Sequence, residues 1–550
     1  MTTPSLWHDF LTFVDDDPSA VSWIDDDGRS GHTSTTRAEM AARVAVLAEA
    51  VRESGHRAGD PLLVCRTSGS GFVAAFWACM ALGSPAVPGP PPPAGHGRAV
   101  AEDRLAAIAA TAGATHVLRD DADEPSVTDV ARLPAHAVAH RSSSHSERGR
   151  LDVAFLQYTS GSTGTPRGCI VSHDAVRANT AAIASMTDLP AQCHGVNWCP
   201  MHHDLGLVTS VLLPVLWPGL TAVLLPAKAF AARPNRWMSL VARYGAVITA
   251  GPNTALELAA RQARRLEPGT DLSSLQCLVT GAEPVRPDTV RRFESALAPY
   301  GMPAGTVKPA YGMAEATLLV SMATAGLRTR RLDPSSKRSG HARPAAPGAP
   351  GVEVASVGKA APGAQVRIRS DGPSTPEGII GPVEVRTPSA CDGYVGDDAA
   401  SAALFSEDGW LRTGDLGFID RGELYITGRS KDTIIVAGQN IEPVDLEQLA
   451  LQAAPEAIGV AAVGRESRQG ETPCVLIEMR HRSTTSAQVD VQRHIAAVLG
   501  LAVDVICVAP GALPRTSSGK VQRRAAVSLL ADDSTQDTRS RTPARDGVMA

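Results

Sequence analysis

The chain has 550 residues, enough for more than one domain and a large core. It is 43% hydrophobic, 20% charged and only 4% aromatic, within the range of soluble globular proteins. A formal charge of −5 leaves no basic footprint for nucleic acid.

The opening MTTPSLWHDF has no basic stretch followed by an apolar core, so it does not read as a signal peptide. No uninterrupted apolar run reaches membrane-spanning length, and a cytoplasmic location is expected. The nine cysteines are scattered and odd in number, which favours reduced thiols. No repeat of solenoid type is visible. The stretch FVAAFWACMALGSPAVP, ending at Pro88, reads as a buried helix running into a strand. Pro90 to Pro93 cannot join either element. Residues 135–150, rich in His, Ser and Arg, read as a surface connection.

Residues 156–173, LQYTSGSTGTPRGCIVSH, carry the sharpest local signal. Apolar runs enter and leave a segment of glycines and hydroxyls that closes on Pro166-Arg167-Gly168. Glycines let backbone N–H groups approach an anion, hydroxyls add donors, and Arg167 adds charge. The Gly-Lys-Ser/Thr ending of a nucleoside-triphosphatase loop is missing, and so is a GxGxxG dinucleotide fingerprint. A plain flexible linker is the alternative, but it would rarely sit between two core strands.

Further along, Cys193, His194, Cys199, His202 and His203 crowd a short stretch without the paired spacing of a zinc site. Short Val/Ile/Leu runs, such as those ending at Ala250, Glu283 and Gly428, alternate with helical patterns and argue for mixed α/β layers. Residues 327–350 are basic and Pro-rich, lack obvious strand formers, and read as an exposed insertion or loop. Residues 432–453 read as strand, turn and helix, with Pro443 and Asp445 in the first helical turn. The last twenty residues are polar and are expected to be disordered. No GxSxG elbow of a serine hydrolase appears.

The 156–173 stretch resembles the ATP-phosphate loop of the acyl-adenylate-forming superfamily. That superfamily includes acyl-CoA synthetases, luciferases, peptide-synthetase adenylation domains and fatty acyl-AMP ligases. The other motifs of the superfamily follow in order: GAEP at 281–284, YGMAEAT at 311–317, WLRTGD at 410–415, GRSKD at 428–432 and LPRTSSGK at 513–520. The resemblance implies a large N-terminal multi-layer α/β domain at 1–429, a small mobile α+β lid at 430–530, and a tail at 531–550.

It also implies roles. Thr159, Ser160, Gly161, Ser162, Thr163, Gly164 and Arg167 would cradle the phosphates. Gly281, Ala282 and Glu283 would wall the adenine pocket with Tyr311, Gly312 and Met313. Glu315 and Thr163 would hold Mg²⁺, Asp415 would accept both ribose hydroxyls, and Arg429 would touch the ribose. Lys431 would be the hinge, Lys520 would stabilise charge on the α-phosphate, and His203 would stand near the acyl-phosphate junction. ATP and Mg²⁺ are therefore the expected cofactors.

Within the superfamily, 197–208, 250–253, 281–293, 311–321 and 438–447 look most like fatty acyl-AMP ligases. That branch passes its acyl-adenylate to the phosphopantetheine thiol of a carrier protein. The expected substrate is a hydrophobic carboxylic acid. The alternatives are an acyl-CoA synthetase that uses CoA, hand-over to a separate transfer enzyme, and a non-catalytic nucleotide- or acyl-binding protein.

Overall fold

The computed structural model describes residues 4–29, 31–92, 98–121, 124–129, 152–159, 166–370, 377–436, 439–467, 470–480, 484–515 and 521–530. The segments 135–150 and 531–550, Pro93, and the loop positions 160–165 and 516–520 lie outside these residues.

Strands buried on both faces carry apolar runs without polar alternation. Leu220–Leu224 and Cys277–Thr280 are of this kind and lie inside a nine-stranded sheet. Its order is Lys359–Ala360, Leu319–Met322, Val307–Gly312, Cys277–Thr280, Ile248–Ala250, Cys193–Asn197, Leu220–Leu224, Val21–Asp26 and His32–Thr36. The strands from Val307–Gly312 to Val21–Asp26 run parallel, so their C-terminal ends share one edge.

Successive side chains point to opposite faces of a sheet. Val196, Val223, Leu278 and Val307 share a core with the helices Asn235–Tyr244, Asn253–Gln262 and Pro287–Leu297. Trp23, Leu220 and Ala222, on the other face, share a core with the helix Ser70–Ala81. That helix is apolar all round and is buried accordingly, with Phe72, Phe76 and Trp77 fully enclosed. The same core takes in Leu62, Val64, Ala86 and Phe155 from a second, six-stranded sheet. The buried helix and following strand expected for 72–88 are therefore present, the strand being Ala86–Pro88.

A four-stranded antiparallel sheet follows, in the order Gln365–Ile368, Gly381–Arg386, Leu411–Asp420 and Glu423–Arg429. Segment 327–350 is not simply an exposed loop. Thr329–Leu332 pairs antiparallel with Val352–Ala355, and Ser336–Ser339 forms a short helix. The reason lies partly outside the segment: VEVA supplies the β-branched partner strand, Leu332 is buried, and Arg328 pairs with Glu423 at 2.7 Å.

Residues beyond 432 form two strands and then a helix, rather than a single strand. Ile434–Val436 pairs with Gln439–Ile441, and the helix Pro443–Ala453 starts with its proline in the first turn. A three-stranded sheet of Gly459–Ser467, Gly470–Glu478 and Asp504–Val508 completes this part. Its apolar clusters draw only on Ile434 and later residues, and the clusters of the larger part contain none of them. The chain is thus a mixed α/β protein with a large N-terminal and a smaller C-terminal part.

Polar groups join the two parts. Lys337 Nζ pairs with Asp445 Oδ1 at 2.7 Å and donates to the Thr427 carbonyl at 3.0 Å. Gln452 Nε2 donates to Asp288 Oδ2 at 2.9 Å, and Arg261 donates to the Ala457 carbonyl at 3.1 Å. The Lys337–Asp445 pair is mostly buried. A double-mutant cycle with Lys337→Met and Asp445→Asn, read by thermal unfolding, should return a coupling of about 1–3 kcal/mol. Strict additivity would mean that the pair does not hold the joint.

The nine cysteines form no disulfide, and all but Cys507 are buried. Among the described residues, no helix is long and apolar enough to cross a membrane.

Candidate active site

The strand Val153–Thr159 leads to the glycine-rich segment and Arg167–Ser172 leads away from it. The two pair antiparallel, with Thr159 opposite Arg167, so residues 160–166 connect a hairpin. Ser160, Gly161, Ser162, Thr163 and Gly164 lie outside the described residues. Arg167 lies over the Tyr394 ring, 5.5 Å from its centre, and its Nε is 3.5 Å from Asp397.

Val307–Gly312 ends at the same edge and carries Tyr311. A side chain at Gly312 would collide with the Leu318 carbonyl, so only glycine lets the chain double back here. Glu315 sits in the following tight turn, and Thr317 adopts φ 65°, ψ −58°. Leu318 N–H donates to the Ala316 carbonyl at 2.7 Å, closing a three-residue turn of a strained kind. For a β-branched residue this conformation costs on the order of 1–3 kcal/mol. The Thr317 hydroxyl, donating to the Ser389 carbonyl at 2.8 Å, helps to hold it. Ala282, in GAEP, has φ 67° and is another non-glycine residue in the left-handed region. The strain thus sits in two of the sequence motifs.

Glu315 is anchored twice. Its carbonyl accepts from Cys391 N–H at 2.8 Å, and its carboxylate accepts from the Tyr394 hydroxyl at 2.8 Å. Burial, and then the Glu315 charge, push the Tyr394 phenol far above its ordinary range, so it stays protonated and donates. Sequence reasoning missed Tyr394. Its only local signal is an aromatic residue after Gly393, and its neighbours Asp392 and Val395 bond to the strand leaving the glycine-rich segment.

Asp415 and Arg429 face each other across Leu411–Asp420 and Glu423–Arg429. Asp415 is 3% exposed. Its Oδ2 accepts from the Tyr311 hydroxyl at 2.6 Å and its Oδ1 from Arg429 Nε at 2.8 Å. Burial, and then Asp415, raise the Tyr311 phenol well above its usual range. Each carboxylate oxygen keeps a further lone pair for another donor.

These residues surround a cavity of 590 Å³, lined by Thr159, Arg167, Gly281, Glu315 and Tyr394 together with the hinge candidate Lys431. A crevice of 1080 Å³ between the larger and smaller parts, lined by Glu283 and Asp415, shares Ala282, Tyr311, Gly312 and Arg429 with it. Met313 lines the first of these. His203 begins the helix Asp204–Leu207, and its ring lies 4.4 Å from that of His202. The next two residues, Asp204 and Leu205, line the cavity. Burial, then His203 and Arg104, hold the His202 imidazole well below its usual range. Lys520 lies outside the described residues; Arg515 and Val521, which flank its loop, form an antiparallel bridge.

A family profile described as AMP-binding enzyme matches residues 12–395. The chain belongs to the AMP-binding enzyme family. Among relatives of this AMP-binding enzyme, the long-chain-fatty-acid–AMP ligase FadD26 of Mycobacterium tuberculosis is 32% identical, over 94% of this chain and 95% of its own. At the same identity, over 95% of each chain, stands fadD25 of M. tuberculosis, described provisionally as a fatty-acid–CoA ligase. A solved structure from studies of fatty acyl-adenylate ligases of E. coli and L. pneumophila superimposes with a TM-score of 0.82 at 27% identity. It covers 97% of this chain and 99% of its own.

Among the described residues of this AMP-binding enzyme, no group of three or more His, Cys, Asp or Glu is placed to hold a metal ion. A hard divalent cation on a nucleotide needs less, because phosphates and water supply most of its ligands. Glu315, a carboxylate fixed at the cavity wall, fits that single-ligand share.

Proposed function

We propose that this AMP-binding enzyme joins a hydrophobic carboxylic acid to the α-phosphate of ATP. A carboxylate oxygen forms the new bond to phosphorus, and pyrophosphate leaves with the electrons of the broken bond. The observation that carries this reading is a cavity and an adjoining crevice that share Tyr311 and Arg429. Asp415 lines the crevice, and the cavity is lined by Glu315 and by apolar strand residues such as Ala222 and Ile248.

In this reading Asp415 orients the ribose, with Arg429 and the Tyr311 hydroxyl fixing its two oxygens. The Tyr311 ring and the Gly281–Ala282 backbone wall the adenine. Thr159, Arg167 and the 160–164 loop bind the phosphates. Glu315 and Thr163 would hold Mg²⁺, which would supply charge neutralisation on the departing pyrophosphate. Lys520 stabilises charge that grows on the α-phosphoryl oxygens. We assign 1–429 to the adenylating domain and 430–530 to a lid that turns about Lys431 and withdraws Lys520 after adenylation.

The acceptor we favour is a carrier-protein thiol, from the likeness to the fatty-acid–AMP ligase FadD26. The likeness to fadD25 supports CoA as a second reading. Mass spectrometry of the protein with ATP, Mg²⁺ and a panel of apolar acids, with and without CoA, separates the two. Acyl-AMP that accumulates and ignores CoA supports the first, and rapid conversion to acyl-CoA supports the second.

Tyr394→Phe removes one charge-assisted hydrogen bond from Glu315, a contact worth about 1.5–3 kcal/mol. The expected outcome is a roughly tenfold higher Mg²⁺ requirement at saturating ATP, read as a shift in the Mg²⁺ activation curve. An unshifted curve would remove Tyr394 from the metal-binding arrangement.

A further inference from the structure

The parallel register of the large sheet puts one row of residues across the floor of the apolar end of the cavity. Ala222, Gly195 and Ile248 are direct neighbours on three adjacent strands, so they face the same side. The next row toward the nucleotide end holds Asn197, Ala250 and Val279. The two rows are about 6.6 Å apart, at roughly 3.3 Å per residue. One step further back lies Leu220. All of these except Cys277, which continues the first row, line the cavity.

Asn197, at the near row, is satisfied locally, donating to Thr209 Oγ1 at 2.6 Å and to Ser210. Thr209 lies in a π-helical turn, Val208–Leu212, a form that recurs at functional sites. Beyond that row, Gly195, Ala222, Leu220 and Ile248 carry no charge, and neither do Ile183 and Met322, which also line the cavity. None of these residues would satisfy an amino or carboxylate substituent on the acid, and burying one unpaired is costly.

Gly195 is an unusual choice in the interior of a strand, where it weakens the sheet unless something must approach closely. Its backbone does not require glycine, since it is not among the positive-φ residues. A Cβ there would come within 3.0 Å of Ile248 Cγ2 and 3.3 Å of Leu220 Cδ1, both side-chain tips lining the cavity. The missing side chain therefore lets those two tips settle against the Gly195 backbone, and any side chain at 195 would push them toward the cavity.

We infer that Gly195 sets the length of acyl chain this enzyme accepts, the chain running over it toward Leu220. The inference rests on the adenylation reading above. Gly195→Val narrows the cavity at the middle row, while Ile248→Ala widens it at the same level. Gly195→Ala, which asks its neighbours to give by only a few tenths of an ångström, is a milder test of the same position.

The test is acid-dependent pyrophosphate release by wild type and these variants, over straight-chain saturated acids from butanoate to octadecanoate. Circular dichroism and thermal melting report whether each variant is folded. Gly195→Val is expected to cut turnover of acids at and above the wild-type optimum by tenfold or more, a typical penalty for a misfitted methylene. The shorter acids stay within about twofold of wild type, because their contacts are unchanged. Ile248→Ala shifts the optimum the other way. Folded variants whose length profiles match wild type, or that lose all acids equally, overturn the assignment of Gly195 alone. A wild-type protein that releases no pyrophosphate with any acid overturns the adenylation reading itself.

Discussion

Asp415→Ala should lower ATP-dependent pyrophosphate release by about 10²–10³-fold, the usual cost of removing one preorganised polar group from a reacting site. The carboxylate is almost wholly buried and engages Tyr311 through one oxygen and Arg429 through the other. Its loss does more than remove an acceptor for the ribose. The Tyr311 hydroxyl is left without its partner in an enclosed position, at about 1–3 kcal/mol for the unsatisfied group. Asn at this position is a poor substitute, because one of its two polar atoms is a donor that would face a donor. If Asp415 holds the ribose equally in ground and transition states, most of the loss appears as a higher KM for ATP. A folded variant with unchanged KM and kcat would end the proposed ribose role.

Lys520→Ala should abolish acyl-adenylate formation, with a loss of about 10²–10³-fold or more, and yet spare thiolysis of acyl-AMP supplied ready-made. Growing charge on an in-line phosphoryl group is what a positioned cation stabilises, and thiolysis of the mixed anhydride occurs after that charge has gone. The flanks of the loop are anchored in the smaller part of the molecule. Arg515 pairs with Glu478 at 2.8 Å, and Gln522 N–H donates to the Pro514 carbonyl at 2.8 Å. In the proposed lid motion Lys520 would therefore travel with that part. The measurement is a pair of single-turnover assays, one from ATP and acid, one from synthetic acyl-AMP with a thiol acceptor. Equal loss in both would show that the lysine does not belong to the first half-reaction alone.

How far the sequence could be read depended on whether a feature was local. The apolar runs that flank the glycine-rich segment became a pair of antiparallel strands, and the apolar 72–88 stretch became a buried helix and strand, because each carries its pattern within a few residues. The order of the motifs anticipated that Tyr311, Arg429 and Asp415 would meet, although the sequence does not show that the meeting is a hydrogen-bonded chain through the carboxylate. Tyr394 was not legible, since its contact with Glu315 spans 79 positions and depends on how two loops cross. The strand Thr329–Leu332 was also hidden: its own composition is basic, and its pairing is decided by Val352–Ala355. Gly195 looks unremarkable in sequence, and only the register of three parallel strands places it beside Ile248 and Ala222.

The polar joint between the two parts of the molecule bears on motion. Two apolar surfaces, once joined, resist parting by roughly 25 cal/mol for each Å² re-exposed to water. Ions and amides behave differently, because a released lysine or carboxylate regains hydration nearly as favourable as the contact it leaves. Exposed contacts such as Gln452 with Asp288 therefore define an orientation without gluing it, while the buried Lys337–Asp445 pair is the firmer hold. They act like a door latch: directional when engaged, weak once slipped, and open to competition from dissolved salt. The lid motion proposed above, one swing per turnover, would be served better by such a fastening than by a greasy seam.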